Sequence, residues 1–111
     1  MPRADRRLAV LAGILMLAGA CARHGTSCGG DDVERGRRLF VRHGCNGCHT
    51  IGVTGTPIGP PLDGIGRTHD RAWLEAWLHD PTNQRPLTHM PRIALPDDEA
   101  HALAAYLAAL R

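Results

Sequence analysis

The chain has 111 residues, enough for one small domain, and only 4% of them are aromatic, which leaves little bulk for a hydrophobic core. A core this poor in large side chains favours support from a bound group or a disulfide. Basic residues number 13 and acidic residues 11, but three bases and one acid precede Ala20, and the ten of each that remain cancel. With Arg as the only base and no basic stripe, this balance excludes a nucleic-acid-binding protein.

The first twenty residues have the layout of a secretory signal peptide. Three arginines within the first seven residues form a positive start, an apolar run from Leu8 to Leu17 follows, and small residues end the segment at Ala20. The run is too short to cross a bilayer core, which takes about 20 apolar residues. We therefore expect residues 1–20 to be removed during export. The alternative is an uncleaved membrane anchor or a buried helix.

Cys21 directly follows the expected cleavage site. The segment from Leu17 to Cys21 resembles a bacterial lipoprotein signal, although Ala18 stands where that class usually has Leu. The resemblance implies a diacylglyceryl group on the Cys21 thiol, which would attach the protein to a membrane surface through its acyl chains. The alternative is a soluble periplasmic protein with a disulfide between Cys21 and Cys28. Either way we expect a periplasmic location, with residues 21–31 as a flexible tether.

The first predicted helix covers residues 33–43, where apolar side chains recur on one side. Two acidic residues just before it suit the positive end of the helix dipole. Four arginines on this helix form a local basic patch or simply solvate its exposed face: Arg35, Arg37, Arg38 and Arg42.

A C-x-x-C-H motif follows at residues 45–49. Residues three and four positions apart share one face of a helical turn, so Cys45 and Cys48 can each add to a vinyl group of the same porphyrin. His49 is then placed to bind the iron as its proximal ligand. A dithiol redox site would need a βαβ context, and a structural zinc site would need four ligands. The motif therefore predicts one covalently attached haem c.

Two further helices are predicted after a Gly- and Pro-rich loop at residues 55–61. Residues 70–79 form the first, capped by Thr68 or Asp70 and ended by Pro81. Its apolar stripe is expected to be core and cofactor wall: Trp73, Leu74, Trp77 and Leu78. Residues 96–110 form the closing helix, with acidic residues in its first turn and an apolar face made of Ala100, Leu103, Ala104, Leu107 and Leu110.

This order of elements resembles the class I c-type cytochromes, and the cytochrome c domains fused to some cytochrome oxidase subunits. The resemblance implies an all-α, small cytochrome c fold in residues 32–111, with N- and C-terminal helices crossing around one covalently bound haem. Gly36 and Phe40 match family positions that pack against the C-terminal helix. Leu103 and Tyr106 match the positions that cross the first helix.

The resemblance also implies roles for two loops. The segment Gly59-Pro60-Pro61-Leu62 is similar to the one whose proline carbonyl accepts the hydrogen bond of the proximal histidine, a role that falls to Pro60. An ordinary rigid turn is the alternative. The segment from Leu87 to Pro91 is similar to the axial-methionine loop and implies Met90 as the second axial ligand.

Other residues have weaker assignments. His89 is the nearest rival to Met90 as a ligand, and the remaining histidines are expected at the surface: His24, His43, His69, His79 and His101. In related domains a Trp of the second helix lies near the haem propionates. That implies an indole N–H bond from Trp77 to a propionate, unless Trp77 is a core residue.

We expect an electron carrier rather than an enzyme, because a sixth position filled by Met90 suits one-electron transfer. The alternatives are a haem-bearing subunit of a larger periplasmic oxidoreductase and a gas-binding or sensor protein with a labile sixth ligand. The resemblance suggests respiratory partners: a cytochrome bc complex, a terminal oxidase or a periplasmic dehydrogenase. Without lysine or net charge, electrostatic steering toward such a partner should be weak.

Overall fold

The computed structural model describes residues 28–111, in which four α-helices and one short hairpin are present. The helices are α1 (Cys28–Arg42), α2 (Arg71–His79), α3 (Pro81–Gln84) and α4 (Asp97–Ala109), and the strands are β1 (Thr50–Ile51) and β2 (Thr54–Gly55). In this part of the chain no helix is both long and apolar enough to cross a membrane. The predicted signal peptide and Cys21 lie outside the described residues.

The N- and C-terminal helices cross with close backbone contact. Gly36 of α1 is buried, and a Cβ atom at this position would lie 2.6 Å from Tyr106 Cβ and overlap the Ala102 carbonyl of α4. Phe40 packs edge-on against Tyr106, with ring centroids 5.8 Å apart and planes at 67°. Glycine thus permits the close approach and Phe40 fills the space beside it. The predicted all-α architecture with crossing terminal helices is confirmed.

The centre of the core is α4, because both α1 and α2 pack against it. Its buried residues extend over more than one side: Ala100, Ala102, Leu103, Ala104, Ala105 and Leu107. The predicted apolar face omitted Ala102 and Ala105, because the prediction assumed one buried face. In the structure α1 and α2 both pack against α4, so a second part of its surface is buried. From the other two helices the core receives Leu39, Phe40, Leu74 and Leu78.

Helix boundaries differ from prediction at the start of α1. The helix begins at Cys28, ahead of the predicted start at Val33, so residues 28–31 of the expected tether are helical. Gly29 and Gly30 concealed this start, because glycine disfavours helix by about 1 kcal/mol relative to alanine. Asp31 in the first turn of α1 compensates in part through the helix dipole.

Residues 71–84 contain two helices where one was predicted. Asp70 caps α2, its carboxylate accepting a hydrogen bond from the Trp73 N–H at 2.8 Å, so Asp70 rather than Thr68 is the cap. Asp80 ends α2 and also caps α3, accepting from the Asn83 N–H. Pro81 ends one helix and begins the next, since proline is well tolerated at a first helical position.

The hairpin of β1 and β2 directly follows the C-x-x-C-H motif and was not predicted. Thr50 pairs with Gly55 and Ile51 with Thr54, and strands this short show no alternating pattern in the sequence. The hairpin turns the chain back so that the Thr56 N–H donates to the Asn46 carbonyl at 3.0 Å. The Gly- and Pro-rich loop is thereby placed against the motif.

The arginines of α1 do not form an unpaired basic patch. Arg35 pairs with Asp98 of α4 at 2.5 Å, and both Arg37 and Arg38 pair with Glu34, at 2.8 and 3.3 Å. Exposed pairs of this kind contribute about 0–1 kcal/mol each to stability. They offset part of the local charge, since Arg37 and Arg38 share one carboxylate. The interpretation as a basic patch is wrong for these three residues.

Candidate haem-binding cavity

A cavity of about 700 Å³ opens between α1, α2, α4 and the loops that follow the motif and α3. The six residues predicted to hold the cofactor all line it: Cys45, Cys48, His49, Pro60, Trp77 and Met90. Among the described residues, Arg85 is the only Asp, Glu, Lys or Arg side chain in its lining. Ligand sites in proteins typically measure about 300–1,000 Å³ and are mostly apolar. The cavity therefore suits a large, predominantly apolar group.

The helical wall of the cavity is the apolar core itself. The α2 stripe lies here as predicted, and Phe40 of α1 closes one side. The remaining lining residues from the α-helices are Leu103 and Leu107, both from α4. Core and cavity are thus one structure, because the same side chains serve both.

The two motif cysteines border the cavity, with Cys45 at the start of a short 3-10 turn, Cys45–Gly47, and Cys48 directly after it. Cys45 is half-buried and Cys48 is exposed, and both are free thiols. Burial raises the pKa of the Cys45 thiol above its usual value, with a backbone hydrogen bond opposing the effect. Cys45 is therefore protonated at neutral pH, which lets the side chain be half-buried without an uncompensated charge.

The imidazole of His49 is oriented by the Pro60 carbonyl. Nδ1 of His49 lies 2.8 Å from Pro60 O, which is the contact expected from the Gly59–Leu62 segment. A carbonyl oxygen only accepts, so Nδ1 carries the hydrogen and Nε2 keeps its lone pair. Such a contact fixes the ring direction and increases the basicity of the other nitrogen. His49 is thus prepared to act as a ligand through Nε2.

Gly59 is a site residue that the sequence interpretation missed. A Cβ atom at this position would lie 2.7 Å from Cε1 and 2.9 Å from Nδ1 of the His49 ring. The Gly59 N–H also donates to the Cys48 carbonyl at 2.5 Å, which holds the loop against the motif. Only glycine allows the imidazole to lie this close to the backbone. The sequence feature that could have indicated this role is the position of Gly59 directly before Pro60, the residue expected to bind the proximal histidine.

The loop that carries Met90 is held by one internal hydrogen bond and by contacts of Arg92 with the end of α2. The Met90 N–H donates to Thr88 Oγ1 at 3.2 Å. After Met90, the Arg92 guanidinium donates to the His79 carbonyl at 3.2 Å and to the Asp80 carboxylate at 3.3 Å. The backbone at Met90 is therefore anchored to the C-terminal end of α2.

Trp77 has a different partner from the one predicted. Its indole N–H donates to Met90 Sδ at 3.0 Å, so a bond from Trp77 to a propionate stays a prediction and would compete with this contact. The Trp77 ring stacks on Trp73 with centroids 5.3 Å apart, and His69 lies over Trp73 at 3.8 Å. These three rings form a column along one wall of the cavity.

Three of the histidines expected at the surface are half-buried: His43, His69 and His79. His69 belongs to the aromatic column, and His43 lies with Nε2 2.5 Å from Glu99 Oε2. The His43 and Glu99 side chains are only 21% and 15% exposed. This pair joins the end of α1 to the first turn of α4, a contact between distant segments that no local pattern reveals. His89, the predicted rival of Met90, is exposed at the edge of the cavity.

The family model described as Cytochrome c matches residues 33–111 of this sequence. The chain belongs to the cytochrome c family. Its predicted membership of the class I c-type cytochromes and its small cytochrome c fold are confirmed. The cytochromes c bind haem c covalently and carry electrons rather than acting as catalytic enzymes.

A curated relative of this cytochrome c is named cytochrome c oxidase subunit 2, from Alkalihalophilus pseudofirmus. The two are 36% identical over 90 residues, which cover 71% of this chain and 26% of the relative. The chain thus spans about a quarter of that relative's length. No solved structure matches this cytochrome c.

Replacing Gly59 by Ala in this cytochrome c should displace the His49 ring, because the added Cβ would overlap it. We expect the Nδ1–Pro60 hydrogen bond to be lost and the free energy of unfolding to fall by about 1–3 kcal/mol. In a domain of this size each kcal/mol corresponds to about 4–8 °C in Tm. Calorimetry measures the loss of stability, and NMR follows the protected Nδ1 proton of His49.

Gly47→Ala is the matched control for this change. Gly47 lies within the same motif, but a Cβ atom there meets nothing within 4 Å. We expect its Tm to stay near that of the wild-type protein. Equal Tm values for the two variants, with the Nδ1 proton still protected in both, would contradict the close approach at Gly59.

Proposed function

We propose that this cytochrome c carries single electrons in a respiratory chain through one haem c, held by Cys45, Cys48, His49 and Met90. The observation that supports this most directly is that both thiols, an oriented imidazole and a thioether line the same apolar cavity. When bound, haem c supplies a one-electron redox couple, and the protein supplies orientation and exclusion of water.

The residues of the cavity fit this group in their chemistry. Two free thiols line the cavity, one at the start of a short turn and one directly after it. The Nε2 atom of His49 is available because its other ring nitrogen is engaged by Pro60. Gly59 leaves room for the ring, and the apolar walls require a partner with a large apolar surface. These features together are the ones that a covalently bound haem would need.

The roles of the individual residues follow from these contacts. His49 is the proximal ligand, and its bond to Pro60 keeps Nε2 directed at the cavity. Met90 is the second ligand, held by its anchored loop. If His49 and Met90 both bound the iron, no position on it would be open to a substrate. This supports an electron carrier over an enzyme or a gas-binding protein.

Met90→His should lower the reduction potential of the mature protein clearly, because a thioether favours Fe(II) relative to a second imidazole. Potentiometric titration of the wild-type protein and the variant measures the difference. His89→Gln is the control, since it removes the nearest rival ligand and should leave both the potential and the near-red iron(III)–methionine absorption band in place. Equal potentials for wild-type protein and Met90→His would argue against Met90 as the ligand.

We further propose that a redox partner docks at the mouth of the cavity through a largely apolar contact. Ile58 and Leu87 line the cavity and yet are 75% and 91% exposed. Arg85 is the only charged lining residue in the described part of the chain, and three arginines of α1 are paired with acids. The oxidase-subunit relative supports a terminal oxidase as this partner. A cytochrome bc complex and a periplasmic dehydrogenase are the other candidates.

Leu87→Glu should slow oxidation of the reduced protein by a purified terminal oxidase, because it places a charge in the apolar contact. The wild-type rate should depend only weakly on ionic strength. Val53→Glu is the matched control: Val53 is fully exposed but does not line the cavity. Stopped-flow kinetics measures both rates. Equal slowing by both variants, or a steep salt dependence in the wild-type protein, would exclude this surface.

A second chain that co-purifies stoichiometrically would instead indicate a subunit of a larger oxidoreductase.

We also propose a periplasmic location, with the protein held at the membrane by a lipid on Cys21. The support comes from the sequence of residues 1–21. Intact mass spectrometry of the native protein should give a chain that begins at Cys21, with one haem and one diacylglyceryl group added. A chain that carries haem but no lipid, and whose mass is lower by two hydrogens, would instead support a Cys21–Cys28 disulfide. A mass without haem would contradict covalent attachment.

A further inference from the structure

We propose that Trp77 is a positioning residue for Met90: its indole N–H holds the thioether sulfur in the orientation that axial ligation requires. The inference rests on the proposed ligation by Met90. The observation behind it is the hydrogen bond from Trp77 Nε1 to Met90 Sδ, 3.0 Å long.

This contact matters because of the two groups that it joins. The indole N–H is the only donor of the Trp side chain, and Met90 Sδ is its hydrogen-bond partner within residues 28–111. A methionine side chain has three rotatable bonds and a weakly accepting sulfur, so packing alone leaves it adaptable. The hydrogen bond selects one of its arrangements, which is a positioning function that an apolar contact cannot provide.

The direction of the N–H is itself fixed, because Trp77 is held on its ring faces. Trp73 stacks on it at 5.3 Å with an interplanar angle of 14°. The Arg85 guanidinium lies 6.0 Å from the centroid of the Trp77 ring, within cation–π range. The neighbouring α2 residues Leu74 and Leu78 are buried and secure the helix. The donor therefore has little freedom to turn away from the sulfur.

The Met90 loop and Trp77 are also parts of one unit. Arg92 attaches the loop to the His79 carbonyl and to Asp80, at the end of the helix that carries Trp77. Thr88 fixes the Met90 backbone on the other side. These contacts locate the backbone but leave the side-chain torsions of Met90 undetermined. The indole N–H supplies that remaining constraint.

The chemistry gives this contact a second effect. A thioether sulfur has two lone pairs, so one that accepts from Trp77 leaves the other for a metal. An N–H donor withdraws electron density from the sulfur, so the gain from positioning would be smaller for Fe(III) than for Fe(II). Trp77 should therefore both retain Met90 and raise the reduction potential.

The test compares Trp77→Phe with Trp73→Phe in the mature haem protein. Both replacements keep an aromatic ring in the same stack, but the Trp73 indole makes no hydrogen bond within residues 28–111. In Trp77→Phe we expect a shifted Met90 methyl resonance in the ferrous protein and a lower potential. Added imidazole should displace Met90 from the ferric protein about threefold to tenfold more readily, as loss of one hydrogen bond implies. Trp73→Phe should change these quantities much less.

Several outcomes would overturn the inference. Equal effects of the two variants would reduce Trp77 to a packing residue. An unchanged Met90 resonance in Trp77→Phe, with an altered pH dependence of the potential, would assign the N–H to a haem propionate. If the wild-type protein shows the Met90 resonance of a bound ligand, either of these two outcomes overturns only the role of Trp77 and leaves the proposed function standing. A wild-type protein without that resonance overturns both the role of Trp77 and the proposed function. If Trp77→Phe fails to mature, benzothienylalanine at position 77 keeps the ring shape and removes only the donor.

Discussion

The hydrogen bond between the His49 imidazole and the Pro60 carbonyl is the contact on which the site depends. It fixes the tautomer of the ring, and it exists only because Gly59 lets the backbone approach to van der Waals distance. The hairpin and the bond from the Gly59 N–H to the Cys48 carbonyl bring the loop to this place. The orientation of the His49 ring therefore depends on contacts made by residues 50–60, and not on the motif alone.

The packing around this contact explains how a chain with few aromatic residues can fold around a large cavity. Small side chains of α4 allow two helices to approach it closely, and Gly36 does the same for α1. The larger apolar side chains are concentrated at the cavity walls, where they have no protein partner on one face. A group that fills the space would add its binding free energy to the stability of the fold. Folding and cofactor retention are thus linked in this molecule.

Helices α2 and α4 and the residues that line the cavity could be predicted from the sequence, because periodicity and motif spacing are local properties. Helix α4 was predicted to within one residue at each end, and the position of Pro60 followed from its loop. The contacts that were missed join distant segments: His43 with Glu99, Arg35 with Asp98, and Trp77 with Met90. No local pattern encodes these pairs, since their partners are chosen by the crossing of α1 and α4 and by the return of the Met90 loop. The start of α1 was missed for a local reason. Gly29 and Gly30 have low helix propensity, but the rest of α1 outweighs it.

The aromatic column has a spectroscopic consequence. Trp73 and Trp77 are the only tryptophans of the chain, and both lie against the cavity. Intrinsic tryptophan emission therefore reports on this wall alone, and a porphyrin in contact with it would quench that emission by energy transfer. The single tyrosine, Tyr106, lies instead at the crossing of α1 and α4. Two optical signals of one unmodified protein thus distinguish opening of the cavity from separation of the terminal helices.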